Sequence, residues 1–256
     1  MKIAILGAGA FGTALGGVLA DKGYDIDYYD SKIARERLSD VLLGAKYIVL
    51  CVPSLAVPYV LPHLPKNVPL IVATKGILMD TCFHEFKDWM VLSGPGFADD
   101  IKARKKTLLT ATDSRVVDLF NTNYIQFDFT DDRRGVLMCG ALKNVYAILA
   151  GLKALKREST EWREFVRKAK NEMELILDAN DAEMDTVDLS CGIGDLKLTC
   201  GLPSRNYEYG TILRENPKYV PSNTVEGLSA VCRIARHEID VPSKAKLLKE
   251  IIDALK

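Results

Sequence analysis

Lys2-Ile3-Ala4-Ile5-Leu6-Gly7-Ala8-Gly9-Ala10-Phe11-Gly12 is the stretch whose reading decides the fold. Four apolar residues follow Lys2, a pattern that predicts a short strand over Lys2–Leu6 covered on both faces. The glycines then stand at G-x-G-x-x-G spacing. In a strand-to-helix turn of this kind the first glycine, Gly7, makes the tight turn. Gly9 lets the backbone approach a pyrophosphate, and Gly12 lets helix and strand pack closely. A helix over Phe11–Lys22 offers its N–H groups and positive dipole end to the phosphates. A second strand, Ile26–Tyr29, ends in Asp30. A carboxylate there accepts hydrogen bonds from ribose hydroxyls and repels a 2′-phosphate, so the motif predicts a nicotinamide dinucleotide, with NAD favoured over NADP. Lys32 and Arg35, just beyond, work against that repulsion, and Asp30 also suits the start of a turn with Ser31.

Working outward, further runs at Tyr47–Val52, Leu70–Ala73, Met90–Ser93, Thr107–Thr112 and Ile125–Phe127 read as strands. Helical patterns such as Phe11–Lys22 and Arg115–Asn121 lie between several of the strands. Alternation of this kind predicts an α/β fold with a mostly parallel, doubly wound Rossmann-type sheet over residues 1–129. The texture then changes. Arg133–Lys153 reads as an almost wholly apolar helix. Thr160–Asn180 reads as an amphipathic one, with Trp162, Phe165, Ala169, Met173 and Ile176 at steps of three or four. A loop rich in Gly, Pro, Ser and Asn is expected over Gly192–Asn206, then helices near Val225–His237 and Ser243–Leu255. An all-α domain over residues 130–256 is expected.

Bulk properties narrow the function classes. The chain has 256 residues, 48% apolar and 27% charged, with formal net charge zero. That balance suits a globular enzyme and gives no overall pull toward nucleic acid or an anionic membrane. No uninterrupted apolar run reaches eighteen residues, so no integral membrane segment is expected. Met1 leads straight into the strand and glycine motif, without the pattern of a signal peptide, and a cytoplasmic location is expected. The six cysteines form no CxxC pair, and the three histidines stand at no zinc-ligand spacing. Reduced, mostly buried thiols and no metal are expected.

Three positions carry chemistry. From Val136 to Leu152 every side chain is apolar or glycine except Lys143, Asn144 and the Tyr146 hydroxyl. An ionised lysine in such a helix is costly unless partnered, and burial lowers the pKa of a lysine toward neutrality. Lys75 follows the fourth strand within Thr74-Lys75-Gly76, at a carboxyl end where open α/β sheets bind ligands. It equally suits a solvated strand end. Gly192-Ile193-Gly194-Asp195 leads on to Pro203-Ser204-Arg205-Asn206. Asp195 and Ser204 each suit a helix N-cap, while Ser-Arg-Asn in a polar loop also suits a phosphate.

The combination resembles the NAD(P)-dependent glycerol-3-phosphate dehydrogenases. The resemblance is carried by Gly7–Gly12, Val52-Pro53-Ser54, Ala73-Thr74-Lys75-Gly76, Ser93-Gly94-Pro95-Gly96-Phe97-Ala98 and Gly140-Ala141-Leu142-Lys143-Asn144. It continues through Gly192–Leu196 with Thr199-Cys200, Ser204-Arg205-Asn206 and Val225-Glu226-Gly227, in the family's order. It implies that Lys143 is the catalytic proton donor and acceptor, and that Lys75 is a second active-site lysine binding substrate. Asp195 and Thr199 would line the reacting centre. Arg205 and Asn206 would hold the substrate phosphate, with Ser204 beside them, and Gly94, Gly96 and Asn144 would meet the substrate. Ala10, Phe11, Pro53, Ala98 and Glu226 would contact the cofactor, with Lys75 and Arg205 reaching it too.

The implied reaction is hydride transfer between NAD(P)H and dihydroxyacetone phosphate, giving sn-glycerol 3-phosphate for phospholipid synthesis or redox balance. The resemblance leaves a homodimer open. The chain departs from the family in a brief stretch from Ser31 to Lys46 and in a trimmed segment over Gly151–Arg167. Gly96 also stands where a Ser or Thr is usual. A related dehydrogenase acting on another phosphorylated substrate or a hydroxyacid, or a non-catalytic NAD sensor, are the competing readings.

Overall fold

The computed structural model describes residues 1–33, 37–78, 80–201 and 204–255; Arg35 and Pro203, singled out above, lie outside them. The chain forms two compact units, Met1–Thr74 with Met79–Arg133, and Lys75–Leu78 with Arg134–Lys256.

The first unit runs β1 (Lys2–Leu6), α1 (Ala10–Asp21), β2 (Asp25–Tyr29), α2 (Leu38–Leu42), β3 (Tyr47–Leu50) and α3 (Val57–Val60). It continues with β4 (Leu70–Val72), β5 (Trp89–Ser93), α4 (Ala98–Lys102), β6 (Thr107–Ala111), α5 (Ser114–Phe120) and β7 (Ile125–Phe129). The seven predicted strands are all present, in the order β2-β1-β3-β4-β5-β6-β7. β1 to β5 are mutually parallel, whereas β6 runs antiparallel to β5 and β7 parallel to β6. The sheet is therefore mostly parallel, with a reversed pair at one edge.

The apolar runs explain the layers. Ile3, Ala4, Ile5 and Leu6 are all sealed from solvent. Ala14, Leu15, Val18 and Leu19 of α1 pack with Ile3, Ile5, Val49 and Ile71 in one core. Each such aliphatic side chain contributes roughly 1.5–3 kcal/mol on burial. The chain moves from β1 to β2 on one side and then crosses to β3 on the other. The switch point thus falls at the carboxyl ends of β1 and β3, where a ligand crevice is expected. There Gly7 N–H donates to Tyr29 O at 2.7 Å, and Cys51 N–H donates to Leu6 O at 2.7 Å.

The second unit contains α6 (Arg133–Leu152), α7 (Thr160–Asp178), α8 (Asp195–Thr199), α9 (Arg205–Glu215), α10 (Glu226–Ala235) and α11 (Lys246–Ala254). Every residue of α6 from Gly135 to Gly151 is buried. The helix is long and apolar enough to cross a membrane, but 94% of that window is buried inside the protein, which makes it the unit's central helix. Ser159 caps α7 by accepting the Trp162 N–H at 3.1 Å. Glu172, buried among the apolar residues of α7, accepts hydrogen bonds from Tyr146 Oη and from the Leu247 and Leu248 N–H groups. Its carboxylate thereby caps α11 and is satisfied in place.

Two expectations are corrected. The Gly192–Asn206 stretch is largely helical: Ser190–Gly194 form a π-helical turn that runs directly into α8, and α9 begins at Arg205. Gly192 serves close approach here, since a Cβ on it would stand 2.2 Å from Val187 O. The thiols are also less buried than expected. Cys139, Cys191 and Cys200 are buried, Cys51 is intermediate, and Cys82 and Cys232 are exposed.

Candidate active site

α6 carries Lys143 in the middle of its apolar length, 4% exposed. The π-helical turn before α8 delivers Asp195 as the first residue of that helix, 1% exposed. Asp195 Oδ1 accepts a hydrogen bond from Lys143 Nζ at 2.9 Å. Its other oxygen, Oδ2, accepts one from Lys75 Nζ, also at 2.9 Å. Lys75 is the more open of the two lysines, its side chain 19% exposed. Asp195 is thus no N-cap, and Lys75 is no merely solvated strand end.

One carboxylate between two ammonium groups leaves the cluster with one net positive charge. Burial pushes Lys143 down, Asp195 pulls it up and Lys75 pushes it down again, so that it titrates at about 8. Cys200, buried nearby, has its thiol pushed well up by burial. A lysine poised there exchanges protons near neutrality, and its charged form polarises an oxygen brought beside it. Thr199, one turn on, donates its hydroxyl to Asp195 O at 2.6 Å and so ties α8 to itself.

A chain of amides links three helices beside Lys143. Asn144 Nδ2 donates to Gly140 O at 3.1 Å, and its Oδ1 accepts from Asn206 Nδ2 at 2.8 Å. Asn206 Oδ1 accepts from the Gly227 N–H at 2.9 Å, which reaches the first turn of α10. Glu226, the first residue of α10, is half-buried. Ser204 is the N-cap of α9, accepting from Tyr207 N–H at 3.2 Å and donating to Thr199 O at 3.2 Å. Arg205 is exposed at the head of α9, its guanidinium without a partner among the described residues. A helix N-terminus bearing an arginine suits a phosphate.

In the first unit the glycine loop fits a dinucleotide. Gly7 has φ +103°, and a Cβ on it would stand 2.7 Å from the Cys51 carbonyl carbon. A Cβ on Gly12 would stand 2.0 Å from Gly7 O, whereas one on Gly9 would meet nothing within 4 Å. The first and third glycines are thus held by packing, and the second faces open space. α1 has neither a side-chain cap nor an acid in its first turn, which includes Ala10 and Phe11, so its positive end remains for an anion.

Asp30 Oδ2 accepts from the Ala8 N–H at 3.1 Å, and Oδ1 accepts from the Lys32 N–H at 3.0 Å. The carboxylate therefore braces the glycine loop while it closes its own turn. Pro53 is exposed just beyond β3. Gly94 has φ +133°, and a Cβ on it would stand 3.0 Å from Leu109 Cα. Gly96 N–H donates to Gly94 O at 2.9 Å. Ala98 is half-buried at the head of α4. Ser93, which opens the Ser93–Ala98 motif, has a buried hydroxyl with no hydrogen-bond partner among the described residues.

Comparison with known proteins agrees with this geometry. Residues 132–255 match the family described as NAD-dependent glycerol-3-phosphate dehydrogenase C-terminus. The chain is 32% identical to the NAD(P)+ glycerol-3-phosphate dehydrogenase of Leptospira biflexa, over 82% of this chain and 78% of that protein. It is 30% identical to that of Bacillus velezensis, over 85% and 77%. The crystal structure of glycerol-3-phosphate dehydrogenase from Coxiella burnetii shares the fold, with a TM-score of 0.84 at 24% identity, over 99% of this chain and 94% of that one.

Proposed function

The chain belongs to the NAD(P)-dependent glycerol-3-phosphate dehydrogenases, and from that premise we propose that it interconverts dihydroxyacetone phosphate and sn-glycerol 3-phosphate with Lys143 as the acid and base. The observation that carries this reading is the Asp195 carboxylate bridging two buried or half-buried lysines.

NAD, when bound, supplies or receives the hydride. The residues that would hold it are Gly7, Gly9, Ala10, Phe11, Gly12, Asp30, Pro53 and Ala98 in the first unit. Lys75, Arg205 and Glu226 would do so in the second. The position of Asp30 supports a preference for NAD over NADP. Reduction of the ketone also needs a proton on the carbonyl oxygen. Charged Lys143 polarises that oxygen and then donates to it; neutral Lys143 takes the proton back in the oxidation. Asp195 keeps the ammonium from being driven off by burial, and Lys75 keeps it acidic enough to let the proton go.

Arg205 and Asn206 bind the phosphate, with Ser204 fixing the helix from which they project. Gly94, Gly96 and Asn144 bound the substrate, and Lys75 grips it. The phosphate lies away from the reacting carbon, so its binding energy orients the carbonyl against Lys143. Thr199 holds α8 and so sets where Asp195 stands. We assign the reaction to the cytoplasm, in keeping with six cysteines that form no disulfide.

The test is direct. Purified protein is mixed with dihydroxyacetone phosphate and NADH or, separately, NADPH, and nicotinamide absorbance is followed. Oxidation of NADH is expected, faster than that of NADPH. Binding of NADH without turnover would leave a dinucleotide-binding protein in place of an enzyme.

A further inference from the structure

Lys75 is carried by no regular element. The four residues Lys75–Leu78 belong to the helical unit, and none of them lies in a helix or strand. Two of its contacts reach α8 and α10. One is the bond from Lys75 Nζ to Asp195. The other lies two residues on, where the Ile77 carbonyl accepts a hydrogen bond of 2.6 Å from Arg233 Nη1 on α10. Arg233 Nε in turn donates to Glu238 Oε2 at 2.6 Å, which sets the plane of the guanidinium. The Ile77 and Leu78 side chains are each 2% exposed.

We infer that Arg233 is a positioning residue for Lys75, holding the backbone of the Lys75–Leu78 stretch so that the Lys75 ammonium stays on Asp195 beside Lys143. The inference rests on the reading of Lys75, Lys143 and Asp195 as the reacting centre. A lysine stem has several freely turning bonds, so one ion pair at its tip leaves the backbone behind it loosely fixed. A charged donor on a part-buried carbonyl is among the stronger hydrogen bonds, and removing it frees the backbone at Ile77. The guanidinium fork reaches Ile77 and Glu238 at once, which a lysine ammonium does less well. α10 also opens with Glu226, and the Gly227 N–H on it donates to Asn206 Oδ1, so one helix steadies both the amide chain and the lysine stretch.

The consequence is electrostatic. The groups that act on Lys143 are Asp195 from α8, Lys75 from its own stretch, and Cys200 just beyond α8. Lys75 lowers the pKa of Lys143. If Lys75 drifts away, that push is lost and Lys143 titrates higher.

The experiment measures kcat/KM for dihydroxyacetone phosphate against pH, at saturating NADH, in the full-length protein. The variants are Lys75→Met, Arg233→Gln, Arg233→Lys and Glu238→Gln, each with its melting temperature. Lys75→Met is expected to move the falling alkaline limb upward by on the order of one pH unit. Arg233→Gln moves it the same way by a smaller amount and raises KM about tenfold, with Arg233→Lys in between. Should Arg233→Gln fold poorly, Glu238→Gln shifts the limb with the same sign. An unmoved limb in both Arg233→Gln and Glu238→Gln, beside a shifted one in Lys75→Met, overturns the inference, whatever happens to the melting temperature. If Lys75→Met itself leaves the limb in place, the coupling of the two lysines is wrong, and the role of Arg233 falls with it.

Discussion

Lys143 Nζ and Asp195 Oδ1 meet at 2.9 Å inside the helical unit, and neither side chain has more than a sliver of exposed surface. Lys143 depends on this carboxylate, because without it two buried or half-buried ammonium groups remain with no counter-charge, whereas Asp195 keeps Lys75 as a second partner. Asp195→Asn keeps the shape and removes the charge. It leaves two ammonium groups facing each other and pushes Lys143 further down. The expected result is a fall in kcat of roughly 10²–10⁴-fold and a loss of about 3–5 kcal/mol of folding stability. Steady-state kinetics and urea unfolding of the same preparation measure both; wild-type kcat would remove Asp195 from the proton chemistry.

In the proposed mechanism Lys143 sets the pH response. With its pKa at about 8, ketone reduction, which needs the charged form, falls as pH rises through about 8. Alcohol oxidation, which needs the neutral form, rises through the same pH. Lys143→Met should remove turnover in both directions while NADH binding persists. Stability follows with its own sign. The folded pKa lies below the ordinary value of 10.5, so Lys143 destabilises the fold fully below about pH 8 and less as pH rises toward 10.5. Any stability advantage of Lys143→Met over wild type therefore narrows across that window, which urea unfolding at successive pH values reads directly.

Much of the first unit was legible because its strands are short apolar runs buried on both faces, and the glycine motif set the first turn. The reversal at β6 was not, since a run such as Thr107–Ala111 carries no mark of strand direction. Lys143 stood out as the one cation in the apolar run from Val136 to Leu152. Its coupling to Lys75 was legible only through the family resemblance, because the affiliation of Lys75–Leu78 with the helical unit depends on contacts made by residues more than a hundred positions away. α9 was not among the expected helices, and Gly210 stands in its middle, where an isolated glycine weakens a helical pattern. In the fold Gly210 is a packing residue, as a Cβ there would stand 2.0 Å from Ile148 O of α6.

Gly210→Ala follows from that contact. Gly151 on α6 has the reciprocal constraint, with a Cβ that would stand 2.0 Å from Tyr207 O. The two helices cross backbone to backbone, and an added methyl must force them apart. A loss of about 1–3 kcal/mol is expected. The Asn144–Asn206 bond of 2.8 Å spans the same crossing, so KM for dihydroxyacetone phosphate should rise as well. Thermal unfolding together with KM checks it; full stability would mean that the crossing is slack.

Arg205 and Ser204 are neighbours with separable jobs. Arg205 is exposed and uncommitted, whereas Ser204 is engaged in capping α9. Arg205→Ala should raise KM for the phosphorylated ketone about 10- to 100-fold with a smaller change in kcat, the loss of a charged hydrogen bond to phosphate. Ser204→Ala should instead cost about 1 kcal/mol of stability through the lost cap. Equal effects of the two changes on KM would mean that Arg205 does not touch the phosphate.

Asp30 has two jobs that one substitution cannot separate. Its oxygens hold the Ala8 and Lys32 N–H groups, so the carboxylate shapes the glycine loop that any dinucleotide must use. Its charge would also favour ribose hydroxyls and disfavour the 2′-phosphate of NADPH. Asp30→Ala removes both, and should weaken NADH binding by about tenfold while weakening NADPH less, because relief of repulsion offsets the looser loop. Asp30→Asn removes the charge while keeping one carbonyl acceptor for the loop. It should therefore narrow the NADH-to-NADPH ratio with less loss of NADH affinity than Asp30→Ala. Dissociation constants for both nucleotides, from nicotinamide fluorescence, give the two effects separately. Equal losses for the two nucleotides in both variants would make Asp30 a brace for the loop, with no part in choosing between them.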